Sequence, residues 1–451
     1  MIKNISIKFL SLLLLSLILF IGLYNIAHYD PIEGYDAEAH FNYVDYLARY
    51  LPDSLKLPSD NETREFFNPP IAYIVPSLTQ VLCRNLITSQ DFLNDCRPIY
   101  GLYTQILQLI IYLLTIFINL KTIKLFLNNK NILNLEYLII ISLFAVNYRT
   151  IIMIRGEPYI LFFMSLLIYM FLNAERNNFN ISTKNTIFFG FIIGMLALSR
   201  QWAFLLFPAF FLLIFKIEKK NLRNYIKYIS NSFFVGFILS SWFYFSLYFK
   251  YGSFTAFNKE SSGFNLTNQP LNFYFPNLSD IFLVFTEPIR PNFSNQFISV
   301  LYSDFWGDYW GYFSFTSRKI GLARGQLEIG SYFGRINLVS LIIFIFLLVS
   351  VFVVNKQYTN SYFVKYITLS IAISFLGYTW FLISYPMLPT GDGNKAVYIV
   401  QMFNLMALSG ALVLNKLKVT NYSLYRIFLI YFIIAYIHNF DSYLSHFPIR
   451  F

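Results

Sequence analysis

The sequence predicts an all-α polytopic membrane protein, and three observations predict it. Of its 451 residues 57% are hydrophobic and 20% aromatic. Only 13% are charged, against about 25% in a soluble protein of ordinary composition, so there is too little polar surface to cover a soluble globule. Apolar runs long enough to cross a bilayer recur along the whole chain; a span needs about 20 such residues.

The first run is residues 9–27, preceded by Lys3 and Lys8. Its length, and the lack of a small-residue cleavage site after it, predict an uncleaved anchor rather than a signal peptide. Further runs at 100–120, 135–153, 158–173, 185–198, 200–215, 228–248, 336–355, 364–385, 396–414 and 424–440 bring the expected count to about eleven transmembrane helices in a single membrane domain, 1–451. The pair at 185–198 and 200–215 is the weakest, since both are short and Arg200 separates them.

Threading these spans from a cytoplasmic N-terminus places 1–8, 121–137, 172–186, 216–227, 355–365 and 415–426 on one side. They hold 17 of the 34 Lys and Arg residues but only 3 of the 23 Asp and Glu residues, the sorting that the positive-inside rule describes. The net charge of +11 therefore reads as cytoplasmic loops beside anionic lipid, not as a nucleic-acid surface. Two long segments, 28–99 and 249–335, fall on the outer side, and 20 of the 23 acids and most of the tryptophans lie outside the cytoplasmic loops. Long loops of this kind are usually functional.

Four His and two Cys are too few and too scattered for a zinc framework. Cys83 and Cys96 share the first outer loop and can form a disulfide there if that side is oxidising. Asn61-Glu62-Thr63 and Asn265-Leu266-Thr267 fit the glycosylation pattern, but so Asn-rich a chain produces such triplets by composition alone.

The first outer loop opens with Asp36-Ala37-Glu38-Ala39-His40. Phe41, Val44, Leu47, Ala48 and Leu51 recur at helical spacing, with Asp45, Arg49 and Asp53 between them. That pattern predicts an amphipathic helix in the interface plane. Asp36 would cap its first turn, satisfying free amides. Capping does not explain Glu38 or His40, so both acids are candidates for proton or metal chemistry. Pro69-Pro70 sets a loop-to-helix junction after Asn68. Arg155, Glu157 and Arg200 sit between spans, where an ionisable residue is a functional candidate by default, with snorkelling as the plain alternative. The stretch around Trp306, Asp308 and Tyr309 could be an aromatic belt or a sugar-holding lining. Arg318, Lys319, Arg324 and Arg335 follow it as a cationic cluster suited to a lipid phosphate. Lys395 is expected at a helix N-terminus, an anion-attracting position, with Tyr398 one turn on.

Taken together these stretches resemble the GT-C superfamily of polytopic glycosyltransferases. The group includes oligosaccharyltransferases, protein mannosyltransferases and lipid A aminoarabinose transferases, and the closer likeness is to bacterial RgtA/B/C/D-like members. The resemblance rests on Asp36-Ala37-Glu38-Ala39-His40, Asn68-Pro69-Pro70, Arg155-Gly156-Glu157, Arg200, residues 306–310 and residues 391–395. In many relatives the two acids are adjacent; here Ala37 separates them. The resemblance implies a bacterial inner-membrane enzyme that moves a sugar from a polyprenyl-phosphate donor to a lipid, glycan or protein acceptor on the outer side, inverting the anomeric carbon. Asp36 is then the base, with Glu38 orienting the acceptor. Arg200, Arg324, Lys395, Arg155 and Arg335 are candidates for the donor phosphate. His40, Asn68, Glu157, Trp306, Asp308, Tyr309 and Tyr398 are candidates for substrate binding. No cofactor is required; a divalent cation held by Asp36, Glu38 and His40 is the optional addition. The competing class is a flippase for a lipid-linked saccharide, which would put ionisable or broken segments at midplane.

Overall fold

A computed structural model describes residues 2–87, 92–129, 131–313, 323–447 and 449. Among them there is no strand. The helices are α1 (Ile2–His28), α2 (Ala37–Tyr50), α3 (Ile71–Leu86), α4 (Phe92–Phe126), α5 (Leu135–Ser142), α6 (Ala145–Ile152), α7 (Glu157–Arg176), α8 (Thr183–Ala197), α9 (Pro208–Leu213), α10 (Lys219–Tyr251), α11 (Leu271–Tyr274), α12 (Leu278–Thr286), α13 (Phe297–Trp306), α14 (Ala323–Gln357), α15 (Tyr362–Ser384), α16 (Val400–Thr420) and α17 (Tyr422–His438).

Seven helical segments among the described residues are long and apolar enough to cross a bilayer. They lie in α1, α4, α7, α10, α14, α15 and α16. The remaining expected spans are of other kinds. Helices α5 and α6 pass the test only as a pair bent by 70°. Helix α8, the segment 201–216 and α17 are apolar but shorter. The 15 residues of α8 rise only about 22 Å, less than the roughly 30 Å of hydrocarbon. Two adjacent short helices at 183–197 and 201–216, broken at Ser199-Arg200, are why that pair was the weakest in the sequence.

The bundle closes around α16, whose apolar window is 94% buried. The bend between α5 and α6 and the early stop of α6 leave backbone carbonyls without helical partners inside the bundle. Such groups are costly unless paired. Helix α4 supplies the pairs: Gln108 donates to the carbonyls of Ile151 and Met153 at 2.8 Å each, and Gln105 to those of Ile152 and Tyr29 at 3.0 and 3.1 Å. Asn147 on α6 exchanges amide hydrogen bonds with Asn404 on α16. Helices α8 and α10 approach through Gly190, Gly194 and Gly236, where added methyl groups would strike the facing helix, the small-residue seam expected where packing rather than hydrophobicity drives association.

Five of the basic segments meet at one end of the bundle. Arg176 donates to Leu125 O, Glu175 accepts from Tyr362 N and Phe363 N, Glu218 N donates to the Tyr362 hydroxyl, and Lys418 pairs with Glu136 at 2.7 Å. The two long loops fold over the opposite end.

There α2 departs from the expected interfacial helix. Its apolar residues Phe41, Val44 and Leu47 are fully buried, because α2 packs against α3 rather than lying on lipid. Asp45, expected on a wet face, is buried too. It accepts from Arg97 at 2.6 Å, Gln80 at 2.6 Å and Tyr100 at 2.8 Å, tying α2 to α3 and α4. Cys83 and Cys96 form a disulfide between α3 and α4. The exposed apolar stripe belongs instead to α3: Val75, Leu78, Leu82 and Leu86. Asp45→Ala leaves Arg97 without its carboxylate and is expected to cost roughly 3 kcal/mol, read as a lower Tm of the protein in detergent, with Asp45→Asn recovering part of the loss.

Candidate active site

Two cavities open at the end covered by the loops, and they share a wall. The larger has a volume of about 470 Å³. Its lining includes the rings and aliphatic groups of Phe67, Trp202, Phe204, Leu205, Phe257, Trp380 and Phe381. It also carries the cations Arg64, Arg200, Lys259 and Lys395 with the acids Asp36, Glu65 and Asp392. The second cavity, about 370 Å³, touches Asp36, Glu38, Trp310, Tyr312, Asp392, Arg64 and Lys395. Asp36, Arg64, Asp392 and Lys395 therefore stand between the two.

Asp36 precedes α2 as expected but does not cap it; its side chain makes no hydrogen bond to the first-turn amides. Its backbone is left-handed, φ 54° and ψ 23°, a region Asp tolerates better than most residues. In that conformation the carboxylate pairs with Arg64 at 2.5 Å and lies 3.8 Å from Lys395 Nζ. Burial raises its pKa, but Lys395 and then Arg64 outweigh burial and hold it at about 2. Glu38, in the first turn of α2, is exposed and reaches only the second cavity.

Lys395 is nearly buried, its Nζ 4.6 Å from the Tyr35 ring centre. Lys395 stands at the start of a helical span as expected: a one-turn helix, Ala396–Ile399, runs directly into α16. The Ala396 amide at that start already donates to Asp304 at 2.7 Å. Asp304 is anchored in turn by Arg149 at 3.1 Å, which also reaches Asp308 at 3.3 Å. Asp308 accepts from the Phe313 amide at 2.6 Å. Asp308 thus holds backbone in place and faces neither cavity, contrary to the expected sugar-binding role. Trp306 and Tyr309 depart likewise. Both are buried; Trp306 packs on Phe305 and Phe144, and Tyr309 donates to Asn292 O. Trp310 is equally buried and only borders the second cavity, where the half-buried ring is that of Tyr312.

Arg200 is held where the sequence places it, between two apolar segments. Gly156 makes this possible: a methyl group there would collide with Ser199 O. The close approach lets Glu157 pair with Arg200 at 3.1 Å while also pairing with Arg155 at 3.1 Å. Glu157 is fully buried and orients both arginines rather than lining the cavity. Arg155 packs over Tyr35 and does not reach either cavity, so it leaves the phosphate-binding set. Arg200 does line the larger one, 5.8 Å from the Tyr398 ring. Its Nε and Nη1 make no hydrogen bond; its ion pairs are to Glu157 and, at 3.9 Å, to Glu65. Tyr398 lines the cavity and stacks on Trp202. Asn68 lines it and donates to Glu65. Burial pushes the Glu65 carboxyl above its usual 4.5, against the pull of Arg200.

Three further expectations change. His40 bonds the Tyr73 hydroxyl at 2.8 Å and faces neither cavity; burial, then Arg200 and Arg155, push its pKa well below 6.5. It orders α2 against α3 rather than binding substrate. The divalent-ion set of Asp36, Glu38 and His40 accordingly does not assemble, and no three His, Cys, Asp or Glu side chains among the described residues are placed to hold a metal. Arg335 is on an exposed helix surface beside Ser331 and Tyr332. Arg318 and Lys319 and the side chain of Arg324 lie outside the described residues. The residues that sequence reasoning missed are Arg64, Glu65, Trp310 and Tyr312. Arg64 is 28 positions from its partner Asp36, with nothing in its local pattern to mark it.

No family model matches the chain, and no curated protein matches it. Solved structures do share its fold. The crystal structure of the Archaeoglobus fulgidus oligosaccharyltransferase in the apo form superposes with a TM-score of 0.51 at 14% identity, over 97% of this chain and 57% of that chain. The archaeal oligosaccharyltransferase AglB from the same organism, in complex with an inhibitory peptide and a dolichol-phosphate, gives 0.52 at 13% identity over 98% and 57%. The form tethered to an acceptor peptide containing the NVT sequon gives 0.52 at 14%, over 97% and 56%. The chain thus spans little more than half the length of these proteins, and the likeness at this identity is one of fold. Nearly its whole length shares the fold of part of the Archaeoglobus fulgidus oligosaccharyltransferase.

Proposed function

We propose that the chain is a membrane glycosyltransferase that takes a sugar from a polyprenyl-phosphate donor at the outer face of the membrane, with Asp36 as the base and inversion at the anomeric carbon. The observation that carries this is the larger cavity. Its apolar side chains suit the first isoprene units, and its cations suit a phosphate at headgroup depth, with Asp36 at the boundary with the second cavity. The fold shared with a protein solved bound to a dolichol-phosphate supports a lipid-linked donor, and the basic segments gathered at the far end support an outward-facing site.

In this reading Arg200 and Lys395 receive the leaving phosphate. Arg200 lines the cavity and Glu157 holds it at 3.1 Å, so its charge is fixed before the substrate arrives, which is where such stabilisation is most effective. The acceptor's proton goes to Asp36, ionised at neutral pH because its pKa is about 2. A carboxylate held so far down is a weak base, so the Arg64 contact has to loosen as donor phosphate draws Arg64 away. Asp36 rather than Glu38 fits the base because only Asp36 touches both cavities.

The test is an assay of the purified protein with a lipid extract as the donor source, following polyprenyl-phosphate sugar by mass spectrometry. Consumption that requires Asp36 supports the reading. Translocation in sealed vesicles without any transfer would replace it with the flippase reading. The pH profile adds a second check. As pH falls, Asp36 stays ionised to about pH 2, whereas Glu65, with its pKa raised above 4.5, takes up a proton first and weakens its hold on Arg200. The acid limb of kcat/KM is therefore expected above pH 4.5 and should vanish in Glu65→Gln; a limb that survives this change assigns it elsewhere.

A further inference from the structure

The larger cavity accounts for a donor and leaves the nucleophile unassigned. An attacking group must reach Asp36 from the side away from the leaving phosphate, and the second cavity meets that requirement. Its wall chemistry is unlike that of the first. The half-buried ring of Tyr312 stands with the carboxylates Glu38, Asp392 and Asp36 and the cations Arg64 and Lys395, and the buried Trp310 closes the wall behind them. Ile32 and Ala37 are the aliphatic side chains on it among the described residues, so it lacks an apolar wall along which a lipid chain could lie. The Trp310 ring is held in place: its indole N–H donates to Asn394 O at 3.0 Å, and the Arg290 guanidinium lies 4.6 Å from its centre. Tyr312 packs edge-on against Tyr35 at 4.6 Å.

A flat ring, Tyr312, beside the acceptor-only carboxylate of the exposed Glu38 matches a sugar. The C–H face of a pyranose packs on the ring, and its hydroxyls donate to the carboxylates. We propose that the second cavity is an acceptor site and that it takes a saccharide, so that this protein extends a glycan. The inference rests on Asp36 being the base. In the step, the acceptor O–H bond breaks and its proton passes to Asp36. The hydroxyl oxygen bonds to the anomeric carbon, and the bond from that carbon to the phosphate oxygen breaks, its electron pair leaving on the phosphate that Arg200 and Lys395 receive.

The experiment offers the purified full-length protein and its lipid extract three acceptor fractions from the same cells: oligosaccharide freed of lipid by mild acid, intact glycolipid, and peptides from digested envelope proteins. Mass spectrometry reads which fraction gains a sugar. The delipidated oligosaccharide is expected to gain it. Tyr312→Ala and Glu38→Gln are expected to raise the KM for that oligosaccharide at least tenfold with less than a twofold change in the KM for donor lipid, while the surface variant Arg335→Ala changes neither. Gain on peptides alone, gain on glycolipid but never on its delipidated form, or a rise in donor KM instead of acceptor KM overturns the inference and leaves the donor reading standing. A wild-type protein that consumes no donor with any fraction overturns both.

Discussion

Asp36→Asn is expected to lower the rate of sugar transfer by roughly 10²- to 10⁴-fold, the usual contribution of a positioned base, without weakening donor binding. Asn keeps the size of the side chain and its tolerance of the left-handed backbone at φ 54°. It loses the charge that Arg64 and Lys395 face at 2.5 and 3.8 Å. The donor KM should therefore hold or fall, because two cations are released toward the phosphate. The split separates chemistry from folding, since a misfolded variant would lose both. Glu38→Gln should act on the acceptor side, since Glu38 reaches only the second cavity. Near-normal transfer by Asp36→Asn together with a dead Glu38→Gln would move the base to Glu38.

Arg200→Ala carries the second large effect. Removing a fixed donor to a developing anion costs about 10²- to 10³-fold in kcat, and Arg200 lines the larger cavity with its guanidinium held by Glu157. The change also removes one of the two arginine partners of the fully buried Glu157, so Arg200→Lys is the control. Lysine keeps the charge that Glu157 needs but not the planar fork. We expect Arg200→Lys to fold like the wild type and to remain at least tenfold slower, with kcat falling more than KM rises. Recovery of full activity by lysine would show that Arg200 only balances Glu157.

The acidic cluster near Asp36 was legible because two carboxylates close to a membrane are costly and stand out from a background of only 23 acids. Arg200 and Lys395 stood out for the same reason. The second rank of residues was illegible on equally physical grounds. Trp306, Tyr309 and Trp310 are alike in type and neighbours in sequence. Which of them borders a cavity depends on the turn after α13, where Asp304 and Asp308 bind Arg149, and an arginine some 150 positions away leaves no local pattern. His40 next to two acids reads as a ligand until α3 brings the Tyr73 hydroxyl to its ring.

By itself the sequence determined the bilayer as solvent, the order of the apolar segments and the sorting of charge between the two ends. These follow from composition and period, which act residue by residue. Tertiary structure alone decided that α2 is buried by α3 and α4, that α5 and α6 bend into one broken segment whose open carbonyls take Gln105 and Gln108, and that Asp36 has Arg64 and Lys395 as its neighbours. Those outcomes depend on which distant side chains share a desolvated space. In such a space, pairing fixes the role of a charge more strongly than its place in the chain.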